Sequence, residues 1–234
     1  MIIKSKDVKV YWINEKENQE RFQHMTELLN KYFPNHERIN AVMEKPKYNG
    51  VTIAHLNALL KGSALKKPFI ILEDDVDIKI YKETLETPQN TDALFIGLSC
   101  WGNKIYSKNK DVKVKKRGDL LLFCNGAVGQ IIEGNNDIFR IYSMYGAHAV
   151  LYIGREYILK SIDNCIQAFI KNKPHDIYFP RFQRKYHIYG LNKPIFYQSK
   201  KIGGQEKFTN LIVPNFSEKP ELKENALNNS NEFR

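Results

Sequence analysis

Residues 67 to 77 read Lys67-Pro68-Phe69-Ile70-Ile71-Leu72-Glu73-Asp74-Asp75-Val76-Asp77, and they predict both a sheet and a site. The apolar run Phe69–Leu72 has no polar alternation, which is typical of a central strand covered on both faces. Four of the next five residues are acids, and a cluster of acids does not belong in a core. Because open α/β sheets bind ligands at the carboxyl ends of their strands, these acids predict a ligand site.

The sequence before this strand predicts a strand, a helix, a second strand and a second helix. The first strand covers Asp7–Asn14, and a helix follows that opens on Glu15–Glu20 and stops at Pro34. Arg38–Val42 is typical of a short strand, and Gly50–Leu60 predicts a helix with Thr52 as its N-cap.

After the acids, strands are predicted over Asp92–Leu98, Asp119–Cys124 and Ala147–Ile153, followed by an amphipathic helix over Ile158–Phe169. Alternation of strands and helices predicts an α/β fold with a central, mainly parallel sheet flanked by helices. We expect residues 1–216 to form a single domain and residues 217–234 to form a polar, weakly ordered tail.

Composition limits the class of protein. With 42% hydrophobic residues the chain can fill a core, so wholesale disorder is excluded. No apolar stretch approaches the roughly 20 residues of a membrane span, and charges interrupt the N-terminus where a signal peptide would be apolar. We therefore expect a cytoplasmic protein. Three widely spaced cysteines match neither a disulfide framework nor a zinc site, which favours reduced, packed thiols.

The net charge of +10 is partly local, because seven basic residues and one acid lie in the basic segment, Lys104–Arg117. This segment is interpreted either as an edge strand with solvated lysines or as a surface that faces phosphate or a membrane. The second interpretation allows peripheral membrane association. The chain has no P-loop, dinucleotide-binding, zincin or hydrolase-elbow motif, so those classes lose their main support.

The four acids Glu73, Asp74, Asp75 and Asp77 repel one another in a partly buried cleft, and a divalent cation would neutralise them. Carboxylate oxygens at the end of a strand suit Mg²⁺ or Mn²⁺. Residues two apart on an extended chain point to the same side, so Glu73 and Asp75, or Asp75 and Asp77, are expected to face each other. The alternative is a solvated acidic turn.

Several short motifs in one order give a family resemblance. They are Tyr11-Trp12-Ile13-Asn14 with Arg21, Arg38-Ile39-Asn40-Ala41-Val42, Gly50-Val51-Thr52-Ile53-Ala54-His55-Leu56, Ile71-Leu72-Glu73-Asp74-Asp75-Val76, Gly146-Ala147-His148-Ala149 and His175-Asp176. Together, over roughly residues 8–200, they resemble glycosyltransferase family 25. The resemblance implies a GT-A-type fold that binds a nucleotide-sugar donor. It also implies a divalent metal, usually Mn²⁺, and a reaction that inverts the anomeric carbon.

The resemblance also implies a role for each matching residue. Asp75 would bind the metal that bridges the donor diphosphate, and Glu73 or Asp74 would approach the donor ribose. Asp77 lies just past the motif and is a further metal candidate.

Donor contact is implied for three more positions, each with an ordinary alternative. Asn14 has a turn role as its alternative, Arg21 a solvated helix face, and His55 a capping role near the start of its helix. Ala54 departs from the serine that is usual in the family.

Two residues complete the expected chemistry. His148 could reach the metal or the diphosphate, or it could be a satisfied buried histidine. Inverting transfer needs a base for the acceptor hydroxyl, and Asp176 matches a family aspartate in that role. A turn or N-cap role is the alternative for Asp176.

The function expected from the sequence is transfer of a hexose from a UDP-sugar, with galactose as the first guess and glucose as the second. The acceptor would be a hydroxyl of a glycan, a glycolipid such as lipooligosaccharide, or hydroxylysine. The alternatives are a basic nucleic-acid-binding protein and an inactive family-25 fold that binds glycans or a partner. Nucleic acid is not the expected partner, because the acids lie at the predicted cleft. The sequence does not predict the oligomeric state.

Overall fold

The computed structural model describes residues 1–99, 101–102, 120–122, 127–132 and 134–204. Its strands are β1 (Ile2–Lys4), β2 (Lys9–Asn14), β3 (His36–Asn40), β4 (Phe69–Glu73), β5 (Val76–Ile78), β6 (Thr84–Glu86), β7 (Ala93–Phe95), β8 (Leu120–Leu122), β9 (Val128–Ile132), β10 (Asn135–Ser143), β11 (Ala149–Tyr152), β12 (Ile188–Leu191) and β13 (Phe196–Gln198). Its α-helices are α1 (Gln19–Tyr32), α2 (Lys47–Ala64), α3 (Arg155–Ile170) and α4 (Pro180–Gln183). Short 3₁₀ turns cover Asp176–Tyr178 and Lys200–Ile202.

The central sheet runs in the order β3-β2-β4-β11-β7-β12-β10-β9-β8. The pairs β3–β2, β2–β4 and β7–β12 are parallel, and the other neighbours in this sheet are antiparallel. The sheet is therefore mixed, which corrects the expected mainly parallel sheet. The α/β class with flanking helices is confirmed.

Helices cover both faces of the sheet, as the apolar run in β4 predicts. Phe69 and Ile71 pack in a cluster that includes residues of α2 and α3, whereas Ile70 and Leu72 pack in a cluster that includes residues of α1. All four side chains are fully buried. At about 1.5–3 kcal/mol for each large apolar side chain buried, this strand anchors the whole arrangement.

The remaining elements follow the sequence with a few differences. The predicted helices are present, but α2 begins at Lys47 with Pro46 as its N-cap, so Thr52 is not the cap. The Thr52 hydroxyl instead donates to the Tyr48 carbonyl one turn earlier. Of the strand predicted over Asp119–Cys124, residues 120–122 are described as β8. The basic segment and the predicted tail lie outside the described residues.

Burial raises the pKa of the Cys165 thiol to about 12, which fits a packed, reduced cysteine, whereas Cys100 and Cys124 lie outside the described residues. In the described ranges, no helix has both the length and the apolar character needed to cross a bilayer.

The direction of β11 explains how distant segments meet. Ala149 pairs with Leu72 and Tyr152 pairs with Phe69, so β11 begins beside the carboxyl end of β4. The carboxyl ends of β2, β4 and β7 lie at this same edge, because β2 is parallel to β4 and β7 is antiparallel to β11. The residues that follow β2, β4 and β7 therefore lie at the same edge of the sheet as the residues that precede β11.

Candidate functional site

The turn after β4 is fixed by the carboxylate of Asp74. Asn14 Nδ2, at the end of β2, donates to Asp74 Oδ2 at 2.8 Å, and Arg21 Nη1, from the first turn of α1, donates to Asp74 Oδ1 at 2.6 Å. Arg21 Nε also donates to the Ile202 carbonyl at 2.7 Å. Charge-assisted bonds of this kind are stronger than neutral ones. The structure thus brings together three residues predicted for donor contact, and they bind each other.

Asp75 follows in the same turn and is held by the last residue of β13 and the residue after it. Gln198 Nε2 donates to Asp75 Oδ2 at 2.9 Å, and the Ser199 amide donates to the Asp75 carbonyl at 2.8 Å. Asp75 Oδ1 is buried and has no hydrogen-bond partner. Burial, reinforced by the charge of Glu73, raises the pKa of Asp75 to about 7. A buried carboxylate oxygen without a partner favours the binding of a cation or of a hydrogen-bond donor.

Asp77 does not share the site with Asp75. The backbone turns at Asp74 and Asp75, so the expected extended run ends there and Asp77 lies in β5. Asp77 Oδ1 accepts from the Ile78 amide at 2.8 Å, and Oδ2 accepts from the Tyr197 hydroxyl at 3.2 Å. These contacts join β5 to β13 and give Asp77 a local structural role.

Glu73 contacts the buried His55, whose ring packs against that of the buried His175. Its Oε1 lies 3.1 Å from His55 Nε2, and the ring of His55 lies 4.3 Å from that of His175. Burial and the charges of Asp176 and Asp74 raise the pKa of Glu73 to about 8, while burial lowers the pKa of His55 to about 3. Near neutral pH the contact is therefore a hydrogen bond between two largely uncharged groups. His55 lies well inside α2 rather than at its cap, and its side chain contacts Glu73.

An open cleft of about 360 Å³ lies at this edge of the sheet. Three of its lining residues were predicted as site residues, namely Glu73, His148 and Asp176. The other lining residues are Val51, Ser99, Trp101, Tyr145, Gly146, Ala147, His175 and Gln198. Residues more than 100 positions apart in the sequence therefore meet around one space.

Two glycines make room for the polar side chains of the cleft. A Cβ at Gly97 would lie 2.5 Å from His148 Nε2, so the imidazole fits only beside a glycine. Burial lowers the pKa of His148 to about 4 and keeps the ring neutral. Gly146 has a φ of +90°, a conformation that favours glycine, and its amide donates to Asp176 Oδ2 at 3.1 Å. Asp176 is thereby held at the wall of the cleft.

Sequence reasoning missed Ser99, Trp101 and Tyr145 as cleft residues. The Trp101 amide donates to Ser99 Oγ at 3.1 Å, and the Tyr145 amide donates to the Trp101 carbonyl at 2.7 Å. These bonds fix the backbone of Trp101, a residue that is 37% exposed and lines the cleft. A signal was available, because Ser99 follows a predicted strand at the same edge and Tyr145 precedes the Gly146 motif.

The donor set suits a metal only in part. Within the described ranges, no group of three His, Cys, Asp or Glu side chains is placed to hold a metal ion. Asp75 Oδ1 is the donor that fits, because it is buried and unpartnered. Mg²⁺ commonly binds through one or two carboxylates, with water and substrate phosphates completing the shell. A metal here would therefore depend on a phosphate-bearing ligand.

Comparisons with known proteins give no family for this chain. No family model matches it, and no curated protein is significantly similar to it. Among solved structures, A197 from STIV aligns at 12% identity and a TM-score of 0.40 over 82% of this chain and 85% of that one. CTP:phosphocholine cytidylyltransferase from Streptococcus pneumoniae aligns at 9% identity and a TM-score of 0.39 over 90% of this chain and 99% of that one. At these TM-scores neither likeness identifies a fold or an activity, so the resemblance to glycosyltransferase family 25 rests on the sequence motifs alone.

Proposed function

We propose that the protein is a metal-dependent, inverting glycosyltransferase that moves a hexose from a UDP-sugar to an acceptor hydroxyl. The observation that carries the proposal is the convergence of Glu73, His148 and Asp176 on one cleft, whose lining residue Gln198 donates to the carboxylate of Asp75, the residue with the unpartnered oxygen. These four residues come from three distant motifs that resemble the family in order. Open α/β sheets bind ligands at the carboxyl ends of their strands, so the position of this cleft supports a site for a nucleotide-sugar donor.

Asp75 is the residue that would hold Mn²⁺ or Mg²⁺, with the donor diphosphate and water supplying the other ligands. The ion would offset the negative charge that develops on the departing nucleoside diphosphate. Burial raises the pKa of Asp75 to about 7 without a metal, and a bound cation would favour the charged carboxylate and lower that pKa.

The contacts of Asp74 orient the turn that carries Asp75. Asn14 and Arg21 hold Asp74 from β2 and α1, and Gln198 holds Asp75 from the other side. In this proposal Asn14, Arg21 and Asp74 are positioning residues. Glu73 and Trp101, which line the cleft, contact the donor. An aromatic face such as that of Trp101 stacks on a base or a sugar.

Asp176 is the proposed base. As the acceptor oxygen forms its bond to the anomeric carbon, the bond from that carbon to the diphosphate oxygen breaks, and the hydroxyl proton passes to the Asp176 carboxylate. Attack from the face opposite the leaving group inverts the anomeric carbon. The Gly146 amide holds Asp176 Oδ2, so the carboxylate is oriented before substrate arrives. Galactose is the first donor to test and glucose the second, with glycan, glycolipid and hydroxylysine acceptors.

Calorimetric titration with UDP tests the proposal against both alternatives. Binding by the wild type should require Mn²⁺ and should weaken at least about tenfold in Asp75→Asn, which removes one charged ligand. Asp137→Asn is the matched control, since Asp137 is an exposed acid on β10 and should bind as the wild type does. Metal-dependent UDP binding without turnover would favour the inactive fold. Absent UDP binding, with nucleic-acid affinity that falls as salt rises, would favour the nucleic-acid-binding protein and overturn the proposal.

A further inference from the structure

The solvent face of α3 carries an apolar stripe. Leu159, Ile166 and Ile170 lie seven and four residues apart, and their exposed fractions are 45%, 42% and 65%. Phe169 flanks them and is 43% exposed. The face of α3 toward the sheet is already filled, with Tyr157 and Cys165 fully buried. The stripe is therefore additional to the helix's core-packing face, and exposed apolar patches of this kind mark interaction surfaces.

A basic groove adjoins the stripe. It is an open space of about 480 Å³ between α3 and the segment around α4, and four basic residues face it against a single acid, Asp163. The basic residues are Lys160, Lys171, Arg181 and Lys185. Lys160 pairs with Asp163 at 2.6 Å, and the Arg181 guanidinium lies 4.1 Å from the ring centre of Tyr178. Three basic groups in the groove thus have no acid of the groove beside them.

The stripe and the groove form one continuous surface, because Asp163 and Gln167 of α3 line the groove on the side next to the stripe. Exposed aliphatic side chains bordered by lysine and arginine are the pattern of a helix that lies in a membrane interface. Each basic residue near an anionic leaflet contributes about 1 kcal/mol, or roughly fivefold in affinity. We propose that this α3 surface docks the protein on anionic lipid membranes.

The charge and the aliphatic stripe favour this occupant over others. A second copy of a chain with net charge +10 would bring the same cations against these cations. Single-stranded nucleic acid is bound by basic grooves with exposed aromatic platforms, whereas the stripe here is mainly aliphatic.

The α3 surface lies beside the cleft. Tyr178 lines the basic groove and Asp176 lines the cleft, and both belong to one short 3₁₀ turn. The Asn164 side chain, which also faces the groove, donates to the carbonyl of His175 at 2.9 Å. Docking by α3 would therefore hold the cleft close to the membrane surface. The docking itself is independent of the proposed transferase activity.

Vesicle flotation with the full chain tests the proposal. The protein should float with phosphatidylcholine vesicles that contain phosphatidylglycerol, and it should stay below pure phosphatidylcholine vesicles. Lys171→Gln/Arg181→Gln/Lys185→Gln should weaken binding roughly a hundredfold, since three contributions of about fivefold are lost. Ile166→Ser/Ile170→Ser should weaken it at least about tenfold, because the buried apolar area is lost. All five positions are exposed, so these variants are expected to fold.

The matched control is Lys4→Gln/Lys6→Gln/Lys31→Gln, which removes the same charge from exposed sites away from α3. It should bind vesicles within about threefold of the wild type, since the electrostatic attraction decays within a Debye length of about 10 Å. Equal losses in control and groove variants would show attraction by net charge alone and would overturn the proposal. Full binding by the Ile166→Ser/Ile170→Ser variant would overturn it as well. A concentration-dependent dimer in sedimentation that the same variant abolishes, without vesicle binding by the wild type, would assign the surface to a second copy instead.

Discussion

Arg21 Nη1 lies 2.6 Å from Asp74 Oδ1, and only 23% of the arginine side chain and 12% of the aspartate side chain are exposed. This ion pair joins the first turn of α1 to the turn after β4. The same guanidinium also donates to the Ile202 carbonyl, so one side chain joins three separate segments of the chain. The guanidinium of Arg21 therefore stabilises the acidic turn after β4.

Arg21→Ala should lower the free energy of unfolding by about 2 kcal/mol, because it leaves a mostly buried carboxylate with Asn14 as its remaining donor. Urea denaturation measures this loss. Arg155→Ala removes an exposed arginine at the start of α3 and should change the free energy by less than about 0.5 kcal/mol. Equal effects of the two substitutions would show that the ion pair with Asp74 contributes no stability.

Gly97→Ala should destabilise the fold by about 1–3 kcal/mol, because the new methyl group overlaps the His148 ring. In a His148→Ala background the same change should cost less, since the clashing ring atoms are gone, while the contact with Ala149 Cβ at 2.9 Å remains. The comparison is a double-mutant cycle measured by urea denaturation. Strictly additive losses would show that the close approach of Gly97 and His148 is not what limits the size of residue 97.

Stability without metal should fall as the pH rises from about 6.5 to 8. Glu73 and Asp75 have pKa values raised to about 8 and about 7 in the fold, against 4.5 and 3.8 when unperturbed, so the folded state binds more protons in this window. The buried histidines 55, 148 and 175 act in the opposite sense, but mainly below their unperturbed pKa of 6.5. The slope should not exceed about 1.4 kcal/mol per pH unit for each carboxyl group.

Urea denaturation in EDTA at several pH values measures this slope, and Glu73→Gln supplies the comparison. The glutamine keeps a hydrogen bond to His55 but cannot ionise, so the slope between about pH 7 and 8 should flatten. An unchanged slope in this variant would mean that Glu73 is already ionised in the metal-free fold.

Trp101→Ala should weaken UDP binding about tenfold, because stacking of a base on an aromatic side chain contributes about 1–3 kcal/mol. Trp101→Phe keeps an aromatic face and should retain most of the affinity. Calorimetric titration with Mn²⁺ present distinguishes the two variants. If both bind as tightly as the wild type, the indole faces the cleft without contacting the nucleotide.

The part of the fold predicted best is the part in which local pattern and burial agree. The run Phe69–Leu72 allows one interpretation only, and the strand is buried on both faces as predicted. The amphipathic helix predicted over Ile158–Phe169 is confirmed as α3. The direction of β11 could not be predicted from the sequence, because Ala149–Tyr152 would have the same apolar pattern in a parallel or an antiparallel pair.

Glu73, His148 and Asp176, which were all predicted as site residues, line one cleft, but the contacts around that cleft were not predicted. Asp74 and Asp75 form a turn, and that local geometry, rather than sequence spacing, separates Asp77 from Asp75. The bond from Gln198 to Asp75 joins residues 123 positions apart, and no local pattern encodes such a contact. Trp101 was missed for the same reason, since it meets Tyr145 through a backbone bond that forms only in the folded chain.

UDP release tests the central proposal most directly. Wild-type protein, Asp75→Asn and Asp137→Asn would be incubated with UDP-galactose and UDP-glucose in Mn²⁺, with EDTA as the metal-free control. The expected result is release by the wild type and Asp137→Asn, loss of release in EDTA, and a rate at least about a hundredfold lower in Asp75→Asn, because the metal supplies several kcal/mol of charge stabilisation. Release that is unaffected by EDTA or by Asp75→Asn would contradict the account, as would the absence of release from both donors by a wild type that does not bind UDP.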